Sequence, residues 1–355
     1  MNRKRILVLL AVFALLGVLV WLQIRAWRRF DWARFVEGTE GLDWLEILYA
    51  VGLIYAADFL RALRWKIFLR PTVPRASWRA LVAPQYVGFA GMALLGRPGE
   101  FIRPYLIAKR VDSTLSAQMA LWFVERAFDT GAVALIVACD LFLVPVMREA
   151  YPEWRIAGYG LLLAEAGLVA LIWALWARGE RIAAWACRRL TPVSHAFATK
   201  AEHKLRVLSA GLNAIRDVAS ASEAVLLSLG IWVLVALAYR AVTHAYPPET
   251  GLPGLDLPEV ILLMGASVAG GVIQLPVVGG GSQLATIAVL SQTFGYSDTP
   301  ELAVSCGILL WLVTFMSVTP LGLALARHEH VSLRRLTAES QEAEHRVEEQ
   351  QGPVA

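Results

Sequence analysis

Apolar positions in this chain fall in long continuous runs rather than in alternation. Runs near 5–22, 43–60, 117–147, 156–177, 222–245 and 302–326 are close to or above the ~20 residues a helix needs to cross a hydrocarbon core of about 30 Å. The period-two alternation of a membrane barrel is missing. Only helices and closed barrels satisfy their backbone hydrogen bonds in lipid, so the pattern predicts an all-α membrane protein, a polytopic bundle of about six full spans. Two further apolar stretches are broken. The stretch 80–108 is interrupted by Gly96-Arg97-Pro98-Gly99-Glu100, and 258–294 by Pro276 and Gly279-Gly280-Gly281-Ser282-Gln283.

Composition supports this reading, since 57% of the residues are hydrophobic, 17% are charged and the mean hydropathy is +0.55. A soluble fold has too little interior for so much apolar surface. At the N-terminus, Arg3-Lys4-Arg5 precedes the first apolar run with no small-x-small cleavage site after it, which predicts a retained first helix. Cys139, Cys187 and Cys306 are far apart, so neither a disulfide framework nor a metal cluster is expected. The basic residues behind the pI near 9.0 flank apolar runs, as orientation signals do, so nucleic acid is the weaker reading.

Loop charges set an expected topology. The segment 61–79 carries Arg61, Arg64, Lys66, Arg70, Arg75 and Arg79 without an acid, and 178–217 is also predominantly basic; both are expected on the cytoplasmic side. The segment 246–260 holds Glu249, Asp256 and Glu259 with no base, and 148–155 is balanced; both are expected outside. Counting crossings between these points makes 80–108 enter and leave on the cytoplasmic side and 258–294 on the outer side. Two oppositely oriented re-entrant hairpins result, the pattern of an inverted repeat whose substrate site lies where the broken segments meet. A pair of short spans, or one kinked helix, is the alternative for each region. The domain boundary falls at 326, and the polar tail 327–355 is expected to be a partly disordered cytoplasmic extension. The expected location is the bacterial inner membrane, with both termini cytoplasmic.

Charges at membrane depth cost several kcal/mol unless paired or wet, so they mark candidate sites. Arg97, Glu100 and Arg103 stand at the first break, where two arginines can fork onto a phosphate with the carboxylate orienting them. The competing reading is a surface turn that touches headgroups. Glu125, Arg126 and Asp129 lie within one turn of the next span, and they need partners such as Arg97 or Arg103. A structural ion clamp would use the same residues. At the second break, Gly280 and Gly281 followed by Ser282 and Gln283 let a helix start inside the membrane, with Ser282 as N-cap and free N–H groups that attract anions; a flexible hinge is the plain alternative. Asp58, Asp140, Glu165, Arg240 and His244 are scattered, mostly near predicted span ends, and read as snorkelling side chains. No Walker lysine loop, Gly-x-Ser-x-Gly elbow or His-Glu-x-x-His occurs. His328 and His330 read as a solvated helix end rather than a metal site.

With Arg97-x-Gly99-Glu100-x-x-Arg103, Glu125-Arg126-x-x-Asp129, and Pro276 with its glycine-rich turn, the chain resembles the lysylphosphatidylglycerol synthase transmembrane-region family, the flippase-like integral membrane proteins, over nearly its whole length to 326. It departs at the third motif, where Ser282-Gln283 stands in place of a glutamate at the helix start. The resemblance implies movement of a polar or anionic lipid, either phospholipid or lipid-linked sugar, between leaflets. Relatives that make aminoacylated lipid carry a further soluble domain, and only a short tail follows 326, so synthase activity is not implied. Movement without an ATPase motif would be downhill or ion-coupled. The expected partners are membrane lipids, with no cofactor. The rivals are a membrane enzyme using Glu100, Glu125 or Asp129 as acid or base, and an anchoring partner of a glycosyltransferase or lipid-synthesis enzyme.

Overall fold

A computed structural model of the chain describes residues 39–95, 97–191, 218–271 and 280–328, with positions 199 and 202. The predicted first span, the tail beyond 328, and Pro276 with Gly279 lie outside the described residues. All regular structure among the described residues is helical.

Helix α1 (Trp44–Leu69) starts on Asp43, whose side chain accepts from the Leu45 N–H at 2.8 Å. It runs nine residues past the predicted end at 60, since nothing breaks it before Pro71, and Arg and Lys are good helix formers. Arg61, Arg64 and Lys66 therefore belong to the helix and not to a loop. After α2 (Trp78–Leu95), a 3-10 turn at Arg97–Phe101 reverses the chain into α3 (Ile102–Arg110). The two arms lie side by side and antiparallel, with Gly88 against Arg103 and Gly91 against Ile102. Thr114 caps α4 (Leu115–Leu143), which ends before Pro145. The short α5 (Pro145–Ala150) leads to α6 (Trp154–Leu190), kinked at Arg178 just past the predicted end of that span.

The second half repeats this plan. Helix α7 (Val218–His244) is followed by α8 (Leu257–Gly270), opened by a capping box of Asp256 and Glu259. Helix α9 (Gly281–Gln292) folds back on α8, with Gly270 against Gly281 and Ala285. Helix α10 (Pro300–Trp311) then passes through a π-helical turn at Leu312–Met316 before α11 (Thr319–His328). The wide turn shifts the register, and the Ser317 carbonyl accepts from the Tyr55 hydroxyl at 2.8 Å.

The first helices of the two halves, α1 and α7, form the central pair and run antiparallel. The Asp43 N–H donates to the Ala245 carbonyl at one end, and Arg64 meets Ser228 near the other. Each half then hands its closing helix to the opposite hairpin. Helix α4 packs on α8, where Gly265 faces Val137, and α11 packs on α2, where Gly322 fits against the Tyr86 carbonyl and Ala90. Large apolar side chains, including Trp44, Leu48, Ile156, Leu163, Trp173 and Leu226, point outward. Among the described residues three helices, Trp154–Leu171, Val218–His244 and Pro300–Arg327, are long and apolar enough to cross a membrane. Helices α1 and α4 are as long, and each has charged residues along its length.

Candidate functional site

The polar residues of α1, α2, α3, α4 and α7 converge on one ion network. Glu125 is fully buried on α4. It accepts from Arg64 of α1 at 3.0 Å and from Arg103 of α3, whose Nη1 lies 3.1 Å from its Oε1 while Nη2 pairs with Oε2. Asp129, one turn along, takes Arg64 at 2.8 Å, Arg126 at 3.1 Å and the Trp232 indole N–H at 3.3 Å. Arg64 thus bridges both carboxylates and also donates to the Ser228 hydroxyl at 2.6 Å. Arg103 donates to Gln85 at 3.1 Å and lies over the rings of Trp65 and Phe89. Arg61 stacks on the same Phe89 and on Trp232, and pairs with buried Asp58 at 2.7 Å. The Trp65 indole adds a bond to Gln118 at 3.1 Å.

This arrangement follows from helical spacing. Glu125 and Asp129 are four apart on one face of α4, while Asp58, Arg61 and Arg64 are three apart on one face of α1, so each helix presents a polar stripe to the other. Gly88 brings α3 close enough to α2 for Arg103 to reach Glu125: a Cβ there would lie 3.1 Å from the Arg103 Cα. Desolvated charges persist only when paired and hydrogen-bonded. Even so, the pairing is lopsided. Among the described residues, Arg61 Nε, Arg64 Nε, Gln85 Nε2 and Arg126 Nε are buried donors with no partner, against one lone acceptor in the network, Asp58 Oδ2. The network is short of acceptors.

Of the residues singled out in the sequence, Arg103, Glu125, Arg126 and Asp129 come together here. Glu100 stands in the 3-10 turn Arg97–Phe101 that precedes α3. Arg97 belongs to the 3-10 turn, and its side chain lies outside the described set. Gly280, Gly281, Ser282 and Gln283 do not join the network: no hydrogen bond or ion pair links them to it among the described residues. Helix α9 begins at Gly281 with Gly280 as N-cap, so Ser282 sits in the first turn and caps nothing. Gln283 faces a narrow crevice with Tyr239, Ser267 and Trp311. Tyr239 is eleven residues from Ser228 on α7, about 16 Å along the axis.

Sequence reasoning missed Arg61, Arg64 and Gln85, and took Asp58 for a snorkelling residue. The available signal was the three-residue spacing of Asp58, Arg61 and Arg64 with no helix breaker among them. No group of three or more metal-ligating side chains occurs among the described residues.

Searches of curated proteins and of solved structures found no match. Residues 6–322 match the family described as the lysylphosphatidylglycerol synthase TM region, a range that takes in both hairpins and the ion network. The chain therefore belongs to the lysylphosphatidylglycerol synthase transmembrane-region family, whose members are membrane proteins that act on lipids.

Proposed function

We propose that the ion network binds the phosphate of an anionic lipid, phospholipid or lipid-linked sugar, and carries its headgroup between leaflets. The observation that carries the reading is the shortage of acceptors, with four unpartnered buried donors to one acceptor. Phosphate oxygens are acceptors only, and they suit forked guanidinium donors. Arg126 offers the entry, since its side chain is 42% exposed while Arg64 and Arg103 lie behind it.

In this reading Glu125 and Asp129 orient the arginines and hold them charged, so that a headgroup leaving water meets fixed partners in place of its hydration shell. The two hairpins enter from opposite faces of the bilayer, the first from the cytoplasmic side of the bacterial inner membrane. Downhill movement needs nothing more than this polar path.

The test is scrambling of a fluorescent phosphatidylglycerol or lipid-linked sugar in proteoliposomes. Wild type exceeds empty liposomes, and Arg126→Lys, which keeps the charge but loses the planar fork and its unpartnered Nε, falls well below wild type. Losing one charge-assisted hydrogen bond of about 1.5–3 kcal/mol predicts roughly tenfold or more weaker retention of the lipid. Wild type that never exceeds empty liposomes for any anionic lipid overturns translocation and leaves the anchoring or enzymatic roles.

A further inference from the structure

A cavity of about 370 Å³ lies between α4, α6 and α7. Its walls are apolar: Phe128 and Leu135 of α4, Val169 of α6, and Val225 and Leu229 of α7. Leu135, Val169 and Val225 are also exposed, so the cavity opens sideways to the surroundings of the bundle. In a membrane protein, what stands at such a mouth is hydrocarbon. The polar lining residues are Ser228 and Glu165. Glu165 reaches across from α6 toward Gly131, where a Cβ would lie 2.7 Å from its Oε1. Ser228 lies at the inner wall, and its hydroxyl is the group that Arg64 Nη1 holds at 2.6 Å. One residue therefore belongs both to the cavity and to the ion network. Asp129, another partner of Arg64, is the neighbour in sequence of the cavity residue Phe128.

We infer that this cavity seats a hydrocarbon chain of the same lipid whose phosphate is held by the arginines, so that the ligand is taken as a whole amphiphile from the side. The inference rests on the headgroup reading above and adds where the tail goes. Apolar walls of this size favour a chain over water, because burying each methylene contributes about 0.8 kcal/mol and only Ser228 and Glu165 offer polar groups among the lining residues. The continuity through Ser228 ties the chain to the phosphate site and makes the gap between α6 and α7 the side entrance.

Photolabelling tests this on the full-length chain in liposomes, with phosphatidylglycerol bearing a diazirine in its acyl tail as the probe. The label is expected on the peptides around 127–135, 165–169 and 225–229. Excess unlabelled phosphatidylglycerol displaces it, and diacylglycerol, which has the same tails and no phosphate, does not. Val225→Trp and Val169→Trp fill the cavity from its partly exposed walls and abolish this label, whereas Leu163→Trp, on the outer face of α6, leaves it intact. Equal displacement by diacylglycerol overturns the inference, because the chain would then be bound without reference to the phosphate. So does a label spread over the outer surface and indifferent to Val225→Trp. Scrambling measured on the same liposomes separates the two ideas. Active scrambling with either of those labelling patterns removes the tail seat alone, while wild type no better than empty liposomes removes the headgroup reading itself.

Discussion

At the scale of single residues, the arginines of the network differ in what they hold. Arg64 is fully buried and bonds two carboxylates and a hydroxyl on two other helices, so Arg64→Ala leaves Glu125 and Asp129 short of a cation in the interior. Breaking a buried pair from one side costs about 3–5 kcal/mol, and a large fall in thermal unfolding temperature in detergent is expected. Arg126 pairs with the same carboxylates from a half-exposed position, and both keep another arginine when it is removed. Arg126→Ala should cost about 1 kcal/mol or less. The order of the two variants in a melting experiment checks the placement; if Arg126→Ala is the more damaging, the network is anchored from the opposite side. In the scrambling assay the order reverses in meaning, since Arg126→Ala should fold well and still transport poorly.

At the scale of elements, the first hairpin depends on a backbone approach that a methyl group would block. Gly88→Ala should press on the Arg103 backbone, cost about 1–3 kcal/mol by overpacking, and loosen the Arg103–Glu125 pair with it. A lowered melting temperature together with weaker lipid retention is expected; an unchanged protein would mean that α2 and α3 part easily. The elements were largely legible in the sequence. The apolar runs gave α1, α4, α6, α7 and the α10–α11 segment to within a few residues at most ends, the break at 96–100 located the first hairpin turn, and Gly280-Gly281 marked the start of α9. The first end of α1 was also legible, but its last turns were not. Hydropathy stops at the first charge, whereas a helix stops at a breaker, and between Leu60 and Pro71 the chain has charges and no breaker. That single difference hid Arg61 and Arg64 and credited the cytoplasmic loop with charges that are spent inside the bundle. Half of the network, Arg103 with Glu125, Arg126 and Asp129, was readable because charges in apolar runs demand partners. Gln85 was not, since an uncharged amide in an apolar run raises no such demand until its neighbours are known.

At the scale of the molecule, the antiparallel α1–α7 pair relates the two halves by inversion, and the proposed topology makes a direct prediction. Ser77 and Ser113 flank the first hairpin and should lie on the same, cytoplasmic face. Cysteines placed there should resist an impermeant thiol reagent applied to intact cells and react after permeabilisation. Reaction of either from outside overturns the opposed-hairpin arrangement. The loss of Arg61 and Arg64 from the loop leaves Arg70 and Arg75, with Arg79 in the first turn of α2, to set this orientation, and no acid lies in that stretch of sequence.

The exchange of closing helices, α4 onto the second hairpin and α11 onto the first, turns the bundle into a cross-braced frame. Neither hairpin can tilt without dragging a strut that belongs to the other half, because Gly265 and Gly322 leave no slack at the two joints. Packed interfaces of this kind switch between discrete arrangements rather than deform smoothly. Under the proposed translocation, a shift of one hairpin is then expected to be felt at the other.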